Sequence, residues 1–517
     1  MASGDILDAS DNPDVPAAPV DFASTSSDGE VALSWTANSE SDLSEYRLYR
    51  ATEAPTSGSN LVDPNNQLTT IAAGTQSYTD TDVTNGQAYY YQLTAVDTEG
   101  LESTPSSLAN AFPYPVSLEV DITRSFGDPS QQRSYRLVAM PGDRSTPVAS
   151  TLEGNADEDW TVYWDDGTSD NFLKKHDGSS TFEFQSGRGF WMLSRSAWAP
   201  SGTADAVPLA SDGTYAIDLH DGWNIIANPF DRDVAWSAVQ AANSVTQALW
   251  RWDGSFREAS TFASAQSGEA FYFLNDGGLD ELVLPYPGAP DALPAATAAT
   301  PSTTALTLTA FQDEQRMSAV RAGLASEAAE GRDALDQFAP PGYFEGATLR
   351  LENPAVDETY FSLAAEYRPA AREGHTFALT LQATPGRAVQ LKAQGLTAFD
   401  GQEIALVDPT TAHTYDLRAE STVTLRPDTE KASYKLLVGS AAFVEHAQSE
   451  IVPTTLQLLP NYPNPFRAHT TLAFTLPERN EVRLVIYDVL GRRVRTLADR
   501  PFQAGRHAMR WDGRNAA

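Results

Sequence analysis

Apolar and polar residues alternate along Val31-Ala-Leu-Ser-Trp35, and the same pattern returns in Tyr89-Tyr-Tyr-Gln-Leu-Thr-Ala95 and Glu481-Val-Arg-Leu-Val-Ile-Tyr487. Clusters of Gly, Asn, Asp and Pro separate these short runs, a pattern typical of half-buried β-strands joined by turns. A helical period is nearly absent, and the best helical candidate, Ala319 to Phe338, is interrupted by two glycines. The sequence therefore predicts an all-β chain.

Length, charge and composition limit the classes of protein to which the chain can belong. Its 517 residues correspond to about three to four domains. The 35 basic and 69 acidic residues give a net charge of −34, which repels phosphate backbones and anionic lipid, so we expect no nucleic-acid partner. The absence of cysteine excludes disulfides and cysteine-based metal sites. No apolar run approaches the ~18 residues of a membrane-spanning helix, so we expect no direct membrane span.

The basic residues are unevenly chosen, with five lysines and thirty arginines. Salt at 1 M shortens the screening length to about 3 Å, so a highly acidic surface then costs little in self-repulsion. A halophilic source is one explanation of this composition. An arginine-rich codon preference combined with an ordinary acidic extracellular surface is the other.

Composition shifts divide the chain into five segments. We predict a first β-sandwich at 14–112, a two-copy aromatic-rich β repeat at 115–290, a Pro/Ala/Thr linker at 291–304, a β-sandwich at 305–450 and a small terminal module at 455–517. Within the fourth segment, strands are predicted at 347–351, 375–381, 388–392, 403–407 and 433–438.

The first segment carries the marks of a known sandwich module. Trp35 lies on an early strand where a core tryptophan would pack. The segment Tyr78 to Tyr91 holds a turn and then a tyrosine among Tyr89-Tyr-Tyr91 whose hydroxyl can bond back to that turn as a tyrosine corner. Together with the runs Ser41–Tyr49 and Ala95–Ser103, these features resemble a fibronectin type III domain. The resemblance implies a spacer or binding module, and the absence of Arg-Gly-Asp from the chain favours the spacer.

The second segment contains an internal repeat. The spacing is 88 residues for two matching pairs and 81 for the third, which are Pro141 with Pro229, Trp164 with Trp252, and Phe190 with Phe271. Two copies of one β unit can cover each other's apolar faces, so we expect them to pack together. The predicted fold is thus all-β, with tandem sandwich modules of fibronectin type III or immunoglobulin-like type and a duplicated β unit in the middle.

Four tryptophans of this repeat are candidates for stacking on a carbohydrate: Trp164, Trp191, Trp250 and Trp252. Stacking requires exposed ring faces, and the hypothesis fails if all four rings are buried. The alternative is that their alternating positions on strands make them core residues.

The last segment contains two specific phrases, Asn461-Tyr-Pro-Asn-Pro-Phe466 and Tyr487-Asp-Val-Leu-Gly491-Arg. They resemble the type A C-terminal sorting domain of the type IX secretion system, an immunoglobulin-like sandwich found in Bacteroidota and their relatives. The resemblance implies a secreted or outer-membrane cell-surface location and the export or attachment machinery as partner. It assigns the sorting motif to Asn461, Tyr462, Pro463, Asn464, Pro465, Phe466, Tyr487, Asp488, Gly491 and Arg492.

Two further features belong to this segment. Residues 455–517 hold ten arginines and five acidic residues, a net charge of +5, which leaves −39 for the rest of the chain. Members of the sorting family continue with a final hairpin where this chain stops at Ala517, and Met1 to Asp8 resembles no signal peptide. We therefore expect a truncated module in a fragment of a longer secreted protein.

Motifs that carry chemistry are missing. Gly-x-Ser-x-Gly, His-Glu-x-x-His and a phosphate-binding Gly-rich loop with Lys do not occur. The acidic clusters Glu153–Asp159 and Asp165–Asp170 could hold calcium, but a solvated loop is the simpler interpretation. We therefore predict no catalytic, cofactor-binding or metal-binding residues.

The functional prediction is a non-catalytic, secreted or cell-surface modular protein with a spacer or adhesion role. One alternative is the accessory C-terminal part of a secreted hydrolase. The other is a carbohydrate-binding module in 115–290. Beyond the export machinery, the partner would be a polysaccharide or another surface protein.

Overall fold

The structure is a computed structural model. It describes residues 15–167, 173–210, 212–289, 303–342, 344, 346–353, 362–370, 373–451, 453, 455–461, 464–466 and 469–515. Strands dominate these residues and the α-helices among them are short, so the all-β prediction is confirmed. The chain folds as two units, one made mainly of the first module and the repeat, the other of the third module and the terminal module. Among the described helices, none has the length and apolarity that a membrane crossing requires.

The first module is a two-sheet sandwich. Its sheets have the orders β1-β2-β5 and β4-β3-β6-β7, from strands β1 Val20–Ser27, β2 Glu30–Thr36, β3 Leu43–Ala51, β4 Gln67–Ala72, β5 Ser77–Asp80, β6 Tyr89–Asp97 and β7 Ala109–Ala111. Trp35 is buried between the sheets, with its ring 5.5 Å from that of Tyr46 and 6.3 Å from that of Phe22. The Thr84 N–H donates to the Tyr89 hydroxyl at 2.9 Å, which is the tyrosine-to-turn bond that the sequence predicts.

Sixteen described strands belong to the repeat, eight in each copy. Copy 1 contains β8 Ser117–Asp121, β9 Arg136–Val138, β10 Ser145–Pro147, β11 Trp160–Asp165, β12 Leu173–Lys175, β13 Glu183–Gln185, β14 Phe190–Ser194 and β15 Ser201–Asp205. Copy 2 contains β16 Thr214–Asp218, β17 Gly222–Ile226, β18 Val234–Ala235, β19 Leu249–Trp252, β20 Phe256–Ala259, β21 Thr261–Phe262, β22 Phe271–Asn275 and β23 Glu281–Pro285. Helix α1, Trp236–Asn243, follows β18, at the position where copy 1 has a short 3₁₀ turn, Val148–Thr151.

The two copies have the same strand order. Copy 1 forms a four-stranded sheet β12-β11-β14-β9 and the pairs β10–β13 and β8–β15. Copy 2 forms β20-β19-β22-β17 and the pairs β18–β21 and β16–β23. Every pairing in one copy therefore recurs eight strands later in the other, as a duplicated sequence unit requires.

Backbone hydrogen bonds join the copies in two matching pairs. The first pair runs from Gly189 N–H to Ile225 O, 3.0 Å, and from Ala227 N–H to Gly187 O, 2.9 Å. The second runs from Ala270 N–H to Leu137 O, 3.3 Å, and from Ala139 N–H to Gly268 O, 3.4 Å. The repeat spacing relates the residues of one pair to those of the other, so each copy offers the same backbone groups to its neighbour. This is a local pseudo-twofold interface.

The third module consists of one sheet and a helix. Its strands are β24 Thr303–Gln312, β25 Gln315–Ala325, β26 Gln337–Phe338, β27 Thr348–Glu352, β28 Leu363–Pro369, β29 Gly374–Gln382, β30 Val389–Gln394, β31 Glu403–Asp408, β32 His413–Asp416, β33 Thr422–Leu425 and β34 Lys431–Gly439, followed by α2 Ala441–Ser449. The order is β32-β31-β34-β29-β27-β28-β25-β24-β30-β33, and β26 pairs with β28. The strands predicted in this segment are confirmed. They belong to one continuous hydrogen-bonded sheet, in which β25 and β28 run parallel.

The terminal module has a sheet of β35 Gln457–Leu458, β36 Thr470–Leu476 and β39 Gly505–Trp511, and a hairpin of β37 Asn480–Tyr487 and β38 Arg493–Phe502. A small apolar core holds them together, made of Phe474, Leu476, Leu484, Ala498 and Phe502. The predicted linker 291–304 lies outside the described residues except for its last two positions, which begin β24.

The close approach of the two copies gives a test of the pseudo-twofold interface. A Cβ added to Gly189 would lie 2.3 Å from the Ala270 Cβ and 2.8 Å from the Ile225 side chain. We expect Gly189→Ala to lower the free energy of unfolding by about 1–3 kcal/mol, because the copies would have to separate. Denaturant unfolding followed by tryptophan fluorescence measures this. Gly277→Ala is the control, since its Cβ would meet nothing within 4 Å, and equal losses in both variants would contradict the interface.

Candidate functional site

Three of the four tryptophans proposed for carbohydrate stacking are core residues. Trp191, Trp250 and Trp252 are 1%, 6% and 4% exposed, so a sugar in solution cannot reach their ring faces. The Trp191 and Trp252 rings meet edge to face at 5.2 Å, and the Trp252 Nε1–H donates to the Tyr135 carbonyl at 2.8 Å. The stacking hypothesis is therefore corrected for these three residues, of which Trp191 and Trp252 fill space between the copies.

Trp164 is half-buried and is already covered by cations of the chain itself. The Arg188 Cζ lies 5.1 Å and the Lys174 Nζ 5.7 Å from the centre of its ring. Lys174 is held by Asp166, with 2.6 Å between Nζ and Oδ2. Burial lowers the pKa of Arg188, while the charges of Asp218 and Glu183 act in the opposite direction. These cation–π contacts occupy the ring that a sugar would need.

A chain of hydrogen bonds crosses the interface beside these rings. The Trp191 Nε1–H donates to the Tyr272 hydroxyl at 2.9 Å, and that hydroxyl donates to Asp165 Oδ2 at 2.8 Å. The Gly167 N–H donates to Asp165 Oδ1 at 3.0 Å. Trp191 and Tyr272 occupy equivalent positions of the two copies, so the repeat places a donor ring and an acceptor hydroxyl opposite each other. The network ties copy 1 to copy 2 through side chains as well as backbone.

Asp165 is fully buried in this network. Burial raises its pKa to about 6, although the hydrogen bonds from Gly167 and Tyr272 act in the opposite direction. A perturbed carboxylate is a candidate general acid or base only where substrate can reach it. This one has no exposed surface, so its role is structural.

The third module holds two further buried carboxylates, Asp336 and Glu366. Burial raises the pKa of Glu366 to about 7 and that of Asp336 to about 6. Glu366 is 0% exposed and forms an ion pair with Arg368, and Asp336 accepts the Tyr367 N–H at 2.9 Å. Solvent-borne substrate reaches neither side chain, so neither is a candidate general acid or base.

Several carboxylates of the acidic clusters considered for calcium make internal contacts. In Glu153–Asp159, the Asn155 N–H donates to Asp159 Oδ2 at 2.8 Å, and Asp157 Oδ1 lies 2.7 Å from Lys175 Nζ. Residues 168–170 of the second cluster lie outside the described residues. Among the residues that the structure describes, no group of three or more His, Asp or Glu side chains converges as a metal site would require.

The first sorting phrase lies against the strands of the terminal module. The Asn461 Nδ2 donates to Thr470 Oγ1 at 3.0 Å, and the Phe466 ring lies 5.5 Å from that of Trp511. The Asn464–Pro465 peptide bond is cis. Tyr462 and Pro463, also assigned to the motif, lie outside the described residues.

The second sorting phrase forms the turn between β37 and β38, where one carboxylate organises the backbone. Asp488 Oδ1 accepts the N–H groups of Leu490 and Arg492, both at 2.9 Å, and Oδ2 accepts the Arg492 Nε–H at 2.7 Å. Gly491 has a φ of +75°, which L-residues rarely adopt. The Asp-x-x-Gly-Arg pattern thus has a local structural explanation.

Comparisons with known proteins agree with the geometry of the first module. Residues 19–110 match the family described as fibronectin type III domain SaeA third domain. Residues 19–110 form a fibronectin type III domain. A curated protein named amylopullulanase, from Thermoanaerobacter thermohydrosulfuricus, is 34% identical over 112 residues, which are 22% of this chain and 7% of that protein. The chain therefore spans a small part of this relative.

Solved structures with similarity to the chain include a Fn3-like protein from Clostridium thermocellum, 26% identical over 20% of this chain and 94% of that one, with a TM-score of 0.15. A beta-1,2-glucanase from Parabacteroides distasonis is 25% identical over 20% of this chain and 14% of its own, with a TM-score of 0.16. TM-scores of this size do not establish a shared overall fold.

The fibronectin type III domain interlocks with copy 2 of the repeat. A Cβ on Gly288 would lie 2.3 Å from the Gly86 carbonyl oxygen, so the two backbones touch. The Arg232 Nη2 donates to the Asn85 carbonyl at 2.8 Å, and its guanidinium lies 5.4 Å from the centre of the Tyr286 ring. Phe112, at the end of the domain, packs edge to face on Tyr286 at 5.5 Å. Sequence reasoning missed this junction, because Gly86 and Gly288 are separated by about two hundred residues.

The Tyr272 hydroxyl gives a test of the buried network. In Tyr272→Phe, ionised Asp165 loses a donor, which raises its pKa further above the unfolded value. Because a raised carboxyl pKa stabilises the fold at low pH and that stability is lost as pH rises through about 6, we expect the variant to match the parent more closely at pH 4 than at pH 8. At pH 8 the loss should be about 1–3 kcal/mol. Unfolding curves across this range check it, and a pH-independent difference would contradict it.

Proposed function

We propose that this chain is a non-catalytic, rigid spacer of a secreted or cell-surface protein. The interlocked junction between the fibronectin type III domain and copy 2 carries this proposal. A flexible linker would leave the two modules free to turn, whereas backbone contact at Gly86 and Gly288 and the Arg232 bond to Asn85 fix their orientation. The paired copies extend the same principle, since each covers the buried face of the other.

Distances between two labels would test the rigidity of the spacer. The chain has no cysteine, so Glu53→Cys and Asp280→Cys give one label in the fibronectin type III domain and one in copy 2. We expect a narrow distance distribution by electron paramagnetic resonance, because the junction has few free torsions. Combining Phe112→Ala with Arg232→Ala should widen the distance distribution at least about twofold. Domains without a tight interface move relative to each other, and these two changes remove contacts that hold the junction together.

The exposed Arg195→Ala is the matched control and should leave that distribution unchanged. A distribution already broad in the parent would contradict the spacer proposal.

A second role is favoured by one observation from the comparisons. The matching segment of the curated relative belongs to a protein named as an enzyme, and it fills 7% of that protein. We propose, as the alternative, that the chain is the accessory part of a larger secreted hydrolase. The rigid junction serves both roles, since an accessory part also has to hold its neighbour at a distance.

We propose further that residues 455–517 direct export and attachment through a type IX secretion system. The supporting observations are the sorting phrases, the turn closed by Asp488, and the net charge of +5 on a chain of −34. In the source bacterium, with the gene otherwise intact, deletion of 455–515 should retain the protein in the periplasm. Cell fractionation measures this. Deletion of 19–110 is the control and should leave export unchanged, whereas normal export without 455–515 would contradict the proposal.

A further inference from the structure

The terminal module exposes more large apolar side chains than any other part of the described chain. Five of the eight exposed large hydrophobic residues belong to it: Leu456, Leu458, Tyr487, Val489 and Leu490. Three of these cluster in the turn between β37 and β38, residues 487–492, which we call the hairpin tip. Val489 is 102% and Leu490 74% exposed. Apolar side chains concentrated on one projecting turn mark an interaction site.

The hairpin tip is held in one conformation before any partner arrives. The Asp488 carboxylate accepts three hydrogen bonds within the turn, and the Gly491 N–H donates to the Asp488 carbonyl at 2.9 Å. A preorganised turn loses little conformational entropy on docking. The N–H groups of Asp488, Leu490, Gly491 and Arg492 are bonded within the turn. Val489 and Leu490 are its projecting apolar contacts.

Basic side chains lie within the hairpin tip and directly after it in the chain. Arg492 lies within the tip, and Arg493 and Arg495 follow it along β38. Arg492 pairs with Asp488 and Arg495 with Asp512, both at 2.7 Å. Arg493 is exposed. At physiological salt the Debye length is about 8 Å, so a partner at the tip senses this local charge more than the −39 of the remaining chain. The complementary surface is an apolar pocket with an acidic rim.

We propose that the hairpin tip is the docking knob by which the terminal module is recognised, with Val489 and Leu490 entering an apolar pocket of a protein whose rim is acidic. This deepens the proposed export role and rests on it. A protein pocket fits better than a lipid surface. A single myristoyl chain gives only marginal membrane binding, and these two side chains hold far fewer carbons.

The test compares the tip with apolar residues exposed elsewhere. In the source bacterium, with the gene otherwise intact, we expect Val489→Ser combined with Leu490→Ser to reduce the exported fraction about tenfold or more, as loss of a central anchor does. Arg493→Glu should reduce it as well, because it opposes the acidic rim. Val20→Ser with Leu108→Ser removes exposed apolar side chains from the fibronectin type III domain, and should leave export unchanged. All purified variants should unfold at the parent's temperature.

The outcomes separate this inference from the function on which it rests. Normal export of the tip variant, while deletion of 455–515 blocks export, would overturn the docking knob and leave the export role standing. Normal export of the deletion would overturn both. Purified full chain is also mixed with phosphatidylglycerol vesicles. Binding there that disappears with Val489→Ser and Leu490→Ser would overturn the protein pocket in favour of a membrane surface.

Discussion

The close backbone contact between the two copies of the repeat is the constraint from which the rest of the first unit follows. Four N–H groups that would otherwise be buried without an acceptor find a carbonyl only in the opposite copy. Leaving one unpaired costs about 1–3 kcal/mol, so neither copy is complete alone. The approach also requires small residues at the crossing, and glycine or alanine stands at 187, 189, 268 and 270. Each copy therefore needs a second copy of the same unit to supply the partners of its backbone N–H groups.

This constraint also explains why an aromatic-rich repeat presents so little aromatic surface. Where the two copies meet through small residues, large rings are needed to fill the space beside the crossing. Trp191, Trp252 and Tyr272 do this, and their polar atoms are satisfied by Asp165 and the Tyr135 carbonyl. Tryptophan on an alternating strand therefore indicates a core position at least as readily as a sugar platform. Composition alone cannot distinguish the two, because both uses select the same residue.

Local patterns in the sequence predict local structure well. Alternation at 347–351 or 375–381 places strands correctly, and the turn before Tyr89 predicts its hydrogen bond. The Ala-rich stretch from Ala319 shows the limit: its start lies in β25, because pairing with β24 and β28 on both sides outweighs helix propensity. The helices Trp236–Asn243 and Ala441–Ser449 span about two turns each, too short for a clear helical period. The burial of Glu366 has no local signal, since it depends on strands distant in sequence.

The net charge of the whole chain also hides a local feature, because the charge is unevenly distributed. A total of −34 excludes anionic partners only if the charge is spread evenly, and here the terminal module is +5 while the remainder is −39. Over a screening length of about 8 Å, each surface acts through its own residues. The two roles proposed for the chain use this separation differently. A spacer benefits from an acidic, highly solvated surface that resists association, whereas recognition needs a small basic and apolar surface that acts as a module of its own. Because the basic excess is confined to the terminal module, one chain can have both an acidic, solvated surface and a basic, apolar one.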